Sequence, residues 1–200
     1  PLQETAAYSV LANGGIYQKP ISFLGISDSE GRVIYDSHAQ QLRYQVLRPS
    51  TSWMIVDMMK DVVSGGTSTK AKISGQTVAG KTGTVNMTGG GNRDIWMACY
   101  NSEIACAFWM GFDQPDASHK LQGWVSGGDN TAAMARDYFR ALYKNRDKPQ
   151  FTRPGGIVAL EIDKQAIKWR GEPMLAAELT PKKYRYTEYF TENNRPTKVS

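Results

Sequence analysis

The chain is 200 residues long, 40% hydrophobic and 22% charged, which fits one sizeable globular domain and excludes an intrinsically disordered chain. No apolar run approaches the roughly 18–20 residues of a membrane-spanning helix. The formal net charge of +5 comes from scattered basic residues with a mild cluster at Lys182, Lys183 and Arg185; Tyr184, Tyr186, Tyr189 and Phe190 accompany it, but without a continuous basic stripe it reads as solvated surface, and no nucleic-acid partner is expected.

Cys99 and Cys106 are too few for a disulfide scaffold. His38 and His119 stand in separate polar segments, and no metal site is expected. The chain opens on Pro1-Leu2-Gln3, without an initiator Met or a basic leader. It is expected to be a piece of a longer polypeptide whose anchor or export signal lies upstream.

In chain order, residues 4–12 are predicted helical, with Ala7, Tyr8 and Leu11 on one face and Asn13-Gly14-Gly15 as the stop. "ISFLGIS" and "RVIYD" flank the turn "DSEG" and are predicted to pair as a hairpin. "PSTSWMIVDMMKDVVSGGTS" predicts a long helix. Ser50 or Ser52 is its candidate cap, Gly65-Gly66 its end, and the rows Met54-Met58-Val62 and Ile55-Met59-Val63 are assigned to the core.

"RDIWMACY" and "IACAFWMGFD" read as strands covered on both faces, joined by a short antiparallel turn. "TAAMARDYFRALYK" is predicted helical, with Asp129 or Asn130 as cap and Ala133, Ala135, Tyr138, Phe139 and Leu142 buried. "GIVALEID" and "AIKWR" are predicted to form a last hairpin, followed from Glu172 by a polar segment of weak periodicity. The fold class is α+β, an antiparallel sheet flanked by helices.

Chemistry concentrates in "TVAGKTGTVNMTGGGN", residues 77–92. Alternation along a strand puts Lys81 and Gly83 on one face. Gly83 leaves room for another chain or a ligand, Lys81 brings a cation, and Thr82 and Thr84 bring hydroxyls. The backbone can pair with an extended partner, so the set suits a peptide carboxylate. Read alone, the tetrapeptide also fits a solvated edge lysine. A phosphate loop at residues 89–91 would need a following Gly-Lys-Ser/Thr, which is missing.

Lys-Thr-Gly is also a signature of serine β-lactamases and penicillin-binding proteins. Around it stand "AAYSVLANGGIYQKP", "VVSGGTSTKA", "DIWMACY", "FWMGFD", "GIVALEID" and "TEYFTENNRPT". This succession, from about residue 2 to about 197, resembles the C-terminal half of the transpeptidase domain of high-molecular-weight penicillin-binding proteins. It is most like class A, the bifunctional peptidoglycan synthases. By this resemblance residues 1–170 belong to the transpeptidase domain and 171–200 are a polar tail of the same domain.

The family carries Ser-x-x-Lys and Ser-x-Asn before Lys-Thr-Gly. No serine here has Lys three positions on or Asn two positions on. Tyr143-Lys144-Asn145 matches a variant of the second motif in letters only, because it follows the third. The nucleophile, its lysine and the second-motif serine are therefore expected on an N-terminal portion of the same protein.

The resemblance implies a D,D-transpeptidase without cofactor, in which a serine acyl-enzyme cross-links peptidoglycan stem peptides ending in D-Ala-D-Ala and β-lactams trap that intermediate. It implies that Lys81 sustains positive potential and supports proton transfer. The N–H of Thr84 completes the oxyanion hole, the hydroxyls of Thr82 and Thr84 bind the substrate carboxylate, and Gly83 lets the acyl chain lie along the strand. The loop "MTGGGNRD" borders the cleft or is a plain turn. The location implied is the extracytoplasmic face of the bacterial cell membrane, with the anchor upstream. A serine β-lactamase, a D,D-carboxypeptidase or a non-catalytic sensor that binds β-lactam or peptide shares the motif; a bare binding module is the remaining alternative. Finally, the turn centred on Ser102-Glu103 sets Tyr100 against Ala105 and Cys99 against Cys106, and free thiols are favoured because directly opposed cysteines strain the S–S dihedral.

Overall fold

The computed structural model describes residues 1–200, which form two compact units, Pro1–Thr152 and Arg153–Ser200. In the first, helix α1 (Leu2–Ala12) buries Ala6 and Val10 and ends where Gly14 and Gly15 take φ of 63° and 92°. Four short strands follow: β1 (Ile16–Gln18), β2 (Gly25–Ser27), β3 (Val33–Asp36) and, after the single-turn helix α2 (Ser37–Gln40), β4 (Arg43–Gln45). β1 pairs with β4 and β2 with β3, all antiparallel. The expected hairpin forms over a shorter span than "ISFLGIS". The Leu24 carbonyl accepts both the N–H (3.0 Å) and the hydroxyl (2.7 Å) of Ser37, so the start of α2 closes the ladder there.

Helix α3 (Pro49–Ser64) starts with Pro at its first position, where no backbone N–H is needed. No side chain caps it. Ser52, expected as a cap, is buried and donates to the Leu11 carbonyl at 3.0 Å, which pins α3 to α1. The buried face carries Ser52, Trp53, Val56 and Val63. The methionine row is a correction, since Met58 is 61% exposed. At 3.6 residues per turn, a row spaced by four advances about 40° per step and leaves the buried face.

Strands β5 (Ala79–Asn86), β6 (Asn92–Tyr100) and β7 (Ala105–Gly111) form an antiparallel sheet in that order. The short turn gives the expected register, with Tyr100 opposite Ala105 and Cys99 opposite Cys106. Both thiols are free. One face packs Ala79 and Tyr100 against Val56, Tyr8 and Leu11 of α3 and α1. The other packs Val78, Met97 and Cys99 against Ala132, Ala135, Phe139 and Tyr143, contributed by helix α4 (Ala132–Leu142) and the residue after it.

A wide turn, Gly127–Thr131, leads into α4. Neither Asp129 nor Asn130 caps the helix; Ser126 caps the turn, its hydroxyl accepting the Asp129 N–H at 3.2 Å. Tyr138, expected in the core, is 42% exposed and lies edge-on to Phe108 and Phe139.

In the second unit β8 (Ile157–Asp163) leads into helix α5 (Lys164–Arg170), and β9 (Arg185–Thr191) returns antiparallel to β8. The expected strand "AIKWR" is thus helical. The Asp163 carboxylate accepts the Gln165 N–H at 2.8 Å and Gly171, at φ 74°, stops the helix, so cap and stop outweigh the strand pattern. The partner of β8 comes from residues 185–191, where weak periodicity concealed a strand.

Candidate active site

Strand β5 carries Lys81, Thr82, Gly83 and Thr84. It lies at the edge of its sheet, paired on one side with β6 and free of any strand on the other. The four residues divide between two faces. Lys81 and Gly83 stand opposite Ala98 and Trp96, and Thr82 and Thr84 opposite Met97 and Ile95.

On the lysine face Lys81, Gly83, Ala98 and Trp96 line a pocket of about 230 Å³ with Glu4 and Tyr8 of α1. Lys81 is exposed, donates to the Thr82 carbonyl at 3.1 Å and makes no ion pair. A Cβ built on Gly83 would stand 3.2 Å from the Trp96 Cβ, so the bare α-carbon keeps the pocket floor open. The Trp96 indole donates to the Asp94 carboxylate at 3.0 Å and packs tilted on Trp109. Burial, and then the nearby Glu4 carboxylate, raise the Tyr8 pKa and keep that phenol neutral.

On the threonine face both hydroxyls have partners. Thr82 Oγ1 lies 3.3 Å from Thr67 Oγ1, and Thr84 Oγ1 accepts the Gly127 N–H at 3.3 Å.

The triple glycine is a turn and is not among the residues lining the pocket. Gly89, Gly90 and Gly91 all have φ between 85° and 89°, and the Met87 N–H donates to the Gly91 carbonyl at 3.0 Å. Sequence reasoning missed Glu4, Tyr8, Trp96, Thr67 and Gly127. Trp96 was not readable from the β5–β6 turn alone, because a bulge between Val85 and Asn86 shifts the register and brings Trp96 rather than Ile95 opposite Gly83; the others depend on tertiary packing.

Residues 1–135 match the family model described as the penicillin binding protein transpeptidase domain. Penicillin-binding protein 1F of Bacillus subtilis (strain 168) is 37% identical over 163 residues, which cover 80% of this chain and 22% of that protein. The chain thus spans about a fifth of the length of the curated relatives it matches. Among solved structures, penicillin-binding protein 1A from Haemophilus influenzae superposes with a TM-score of 0.77 at 20% identity, covering 100% of this chain and 33% of that one. PonA1 from Mycobacterium tuberculosis in complex with penicillin V gives 0.63 at 23% identity over 76% of this chain and 40% of that one. At these identities the structures speak to fold, and they agree with the α+β class. The chain belongs to the penicillin-binding protein transpeptidase domain family. Relatives named penicillin-binding protein 1F and 1A agree with the resemblance to class A.

Proposed function

We propose that the chain is part of a serine-type D,D-transpeptidase and supplies the Lys-Thr-Gly wall of its active site. The observation that carries this reading is the placement of Lys81, Thr82, Gly83 and Thr84 on an open-edged strand in a chain of this family. An extended stem peptide ending in D-Ala-D-Ala lies along that edge. Gly83 admits it closely, and the hydroxyls of Thr82 and Thr84 donate to its carboxylate.

In the reaction a serine on an upstream portion of the same protein attacks the carbonyl between the two D-alanines. The new ester bond forms, the peptide C–N bond breaks, and the serine proton ends on the departing D-Ala amine. The amine of a second stem peptide then displaces the serine and makes the cross-link. The Thr84 N–H stabilises the oxyanion of both steps. Lys81 holds positive potential at the site, and no cofactor enters. A β-lactam follows the first half of this path and stays attached. Residues 1–170 belong to the catalytic domain and 171–200 are a polar tail of the same domain, and the parent protein works on the extracytoplasmic face of the membrane through an upstream anchor. No helix of the chain is long and apolar enough to cross a membrane.

Fluorescent penicillin added to the full-length protein tests this. A covalent adduct that survives denaturation and maps to an upstream serine is expected. No adduct, or one on a serine of residues 1–200, refutes the reading.

A further inference from the structure

The glycine-flanked segments Gly65–Ser68 and Ser126–Asp129 meet over the threonine face of β5. Thr67 follows the end of α3 and is fixed in a tight turn. The Gly66 N–H donates to the Asp61 carbonyl and the Ser68 N–H to the Val62 carbonyl, both at 2.9 Å. The buried Ser68 hydroxyl anchors the turn beneath the sheet on Met97 Sδ at 3.5 Å. From the other side, a Cβ on Gly127 would stand 2.5 Å from the Trp96 carbonyl oxygen, 2.6 Å from that of Gly83 and 3.3 Å from the Thr82 Cβ. A Cβ on Gly128 would likewise clash with the Thr67 carbonyl oxygen. Two glycines in succession therefore let the entrance to α4 wedge between the Thr67 turn and the strand.

This contact sets the direction of one hydroxyl and gives the other a partner that can donate to it. A threonine hydroxyl has one proton to give and lone pairs to receive. Thr84 Oγ1 receives the Gly127 N–H, so its own proton stays free for an outside acceptor. Thr82 Oγ1 and Thr67 Oγ1 share one hydrogen bond. When Thr67 is the donor, the Thr82 proton is free as well. A carboxylate at the strand edge favours that arrangement, because it can then accept from both threonines.

Resting on the transpeptidase reading, we infer that Thr67 and Gly127 are positioning residues that turn the hydroxyl protons of Thr82 and Thr84 toward the substrate carboxylate. They touch no reacting atom. Their contribution is confined to ligands that carry the carboxylate.

The test uses the full-length protein with benzylpenicillin and its methyl ester, which lacks the carboxylate charge. The ratio of their acylation rate constants reads carboxylate recognition and cancels general damage to the fold. In Thr67→Val the acid-to-ester ratio falls about fivefold, the worth of one hydrogen bond, and Thr67→Ser restores it. Gly127→Ala lowers the ratio at least as far; if that variant does not fold, the Thr67 pair decides alone. A Thr67→Val ratio equal to wild type, or a loss that Thr67→Ser fails to restore, overturns the inference while leaving the transpeptidase reading intact. Failure of the wild-type protein to react with either probe sinks that reading, and the inference with it.

Discussion

Two glycines of β5, three residues apart, face opposite sides of the sheet, and alanine at each has a different consequence. A Cβ on Gly80 would lie 2.6 Å from the Ala98 carbonyl oxygen, 2.7 Å from Met97 Cε and 3.1 Å from Cys99 Cα. Two of these neighbours are backbone of the paired strand, so β5 must move off β6 by the better part of an ångström. Overpacking of this kind costs about 1–3 kcal/mol, and Gly80→Ala should lie near the top of that range. At Gly83 the tightest neighbour is the Trp96 Cβ at 3.2 Å, which a shift of a few tenths of an ångström relieves. Gly83→Ala should therefore lie near the bottom, about 1 kcal/mol. Its methyl group enters the Lys81 pocket, where the proposed function has the acyl chain approach the strand. Displacements near 1 Å at a reacting centre cost on the order of 100-fold, and at least a tenfold loss of acylation is expected.

Thermal unfolding and stopped-flow acylation of the full-length protein by labelled penicillin separate the two effects. Gly83→Ala should keep most of its melting temperature and lose acylation, whereas Gly80→Ala should lose both. A Gly83→Ala protein that acylates at the wild-type rate refutes the placement of substrate along this edge. A Gly80→Ala protein of unchanged stability refutes the packing of β5 on β6.

Lys81→Ala in the full-length protein should slow acylation by about 2–4 kcal/mol of transition-state stabilisation, the scale of one preorganised electrostatic contact, with little change in melting temperature because the side chain is exposed; an unchanged acylation rate removes Lys81 from the mechanism. Burial raises the pKa of both thiols, and Cys106 adds to the shift at Cys99. The thiolate fraction at pH 8 is thus below that of an ordinary cysteine, and iodoacetamide mapped by mass spectrometry should modify half-buried Cys106 slowly and Cys99 more slowly still. The linkage has a definite sign: a thiol whose folded pKa is raised contributes stability that is full below the unfolded value, about 8.5, and is lost as pH rises through the folded one. Unfolding of the Cys99→Ala, Cys106→Ala pair should accordingly show less alkaline destabilisation than wild type between pH 8 and 10, and an identical pH profile counts against burial as the cause.

What could be read ahead of the coordinates was whatever depends on neighbours in sequence. The β6–β7 register follows from a short turn, and it placed Cys99 against Cys106. The same logic fails at the glycine turn, where Asn86 pairs with Asn92 and would by itself set Ile95 opposite Gly83; a bulge between Val85 and Asn86 shifts the register and brings Trp96 there to form one wall of the pocket. Reading failed where a local signal competes with a tertiary one. "AIKWR" alternates like a strand, yet the Asp163 cap and the Gly171 stop make it helical and send β8 to a partner more than twenty residues on. Ser52 stands where a cap could be and instead holds α1. The candidate site divides along the same line. Lys81 through Thr84 are legible because one strand presents them, with alternation fixing their faces. Thr67 and Gly127 arrive from two separate turns, and the atoms that bring them together are backbone carbonyls of Gly83, Trp96 and Thr67, which no side-chain pattern records. The glycines do leave a trace: "SGGTS" and "SGGDN" are the two places where paired glycines follow a serine. Each of those pairs ends or begins a helix beside β5; side chains at Gly127 and Gly128 would have met the carbonyls of Trp96, Gly83 and Thr67 and closed the gap through which the strand's hydroxyls are held, whereas one at Gly66 would have met only the last turn of α3.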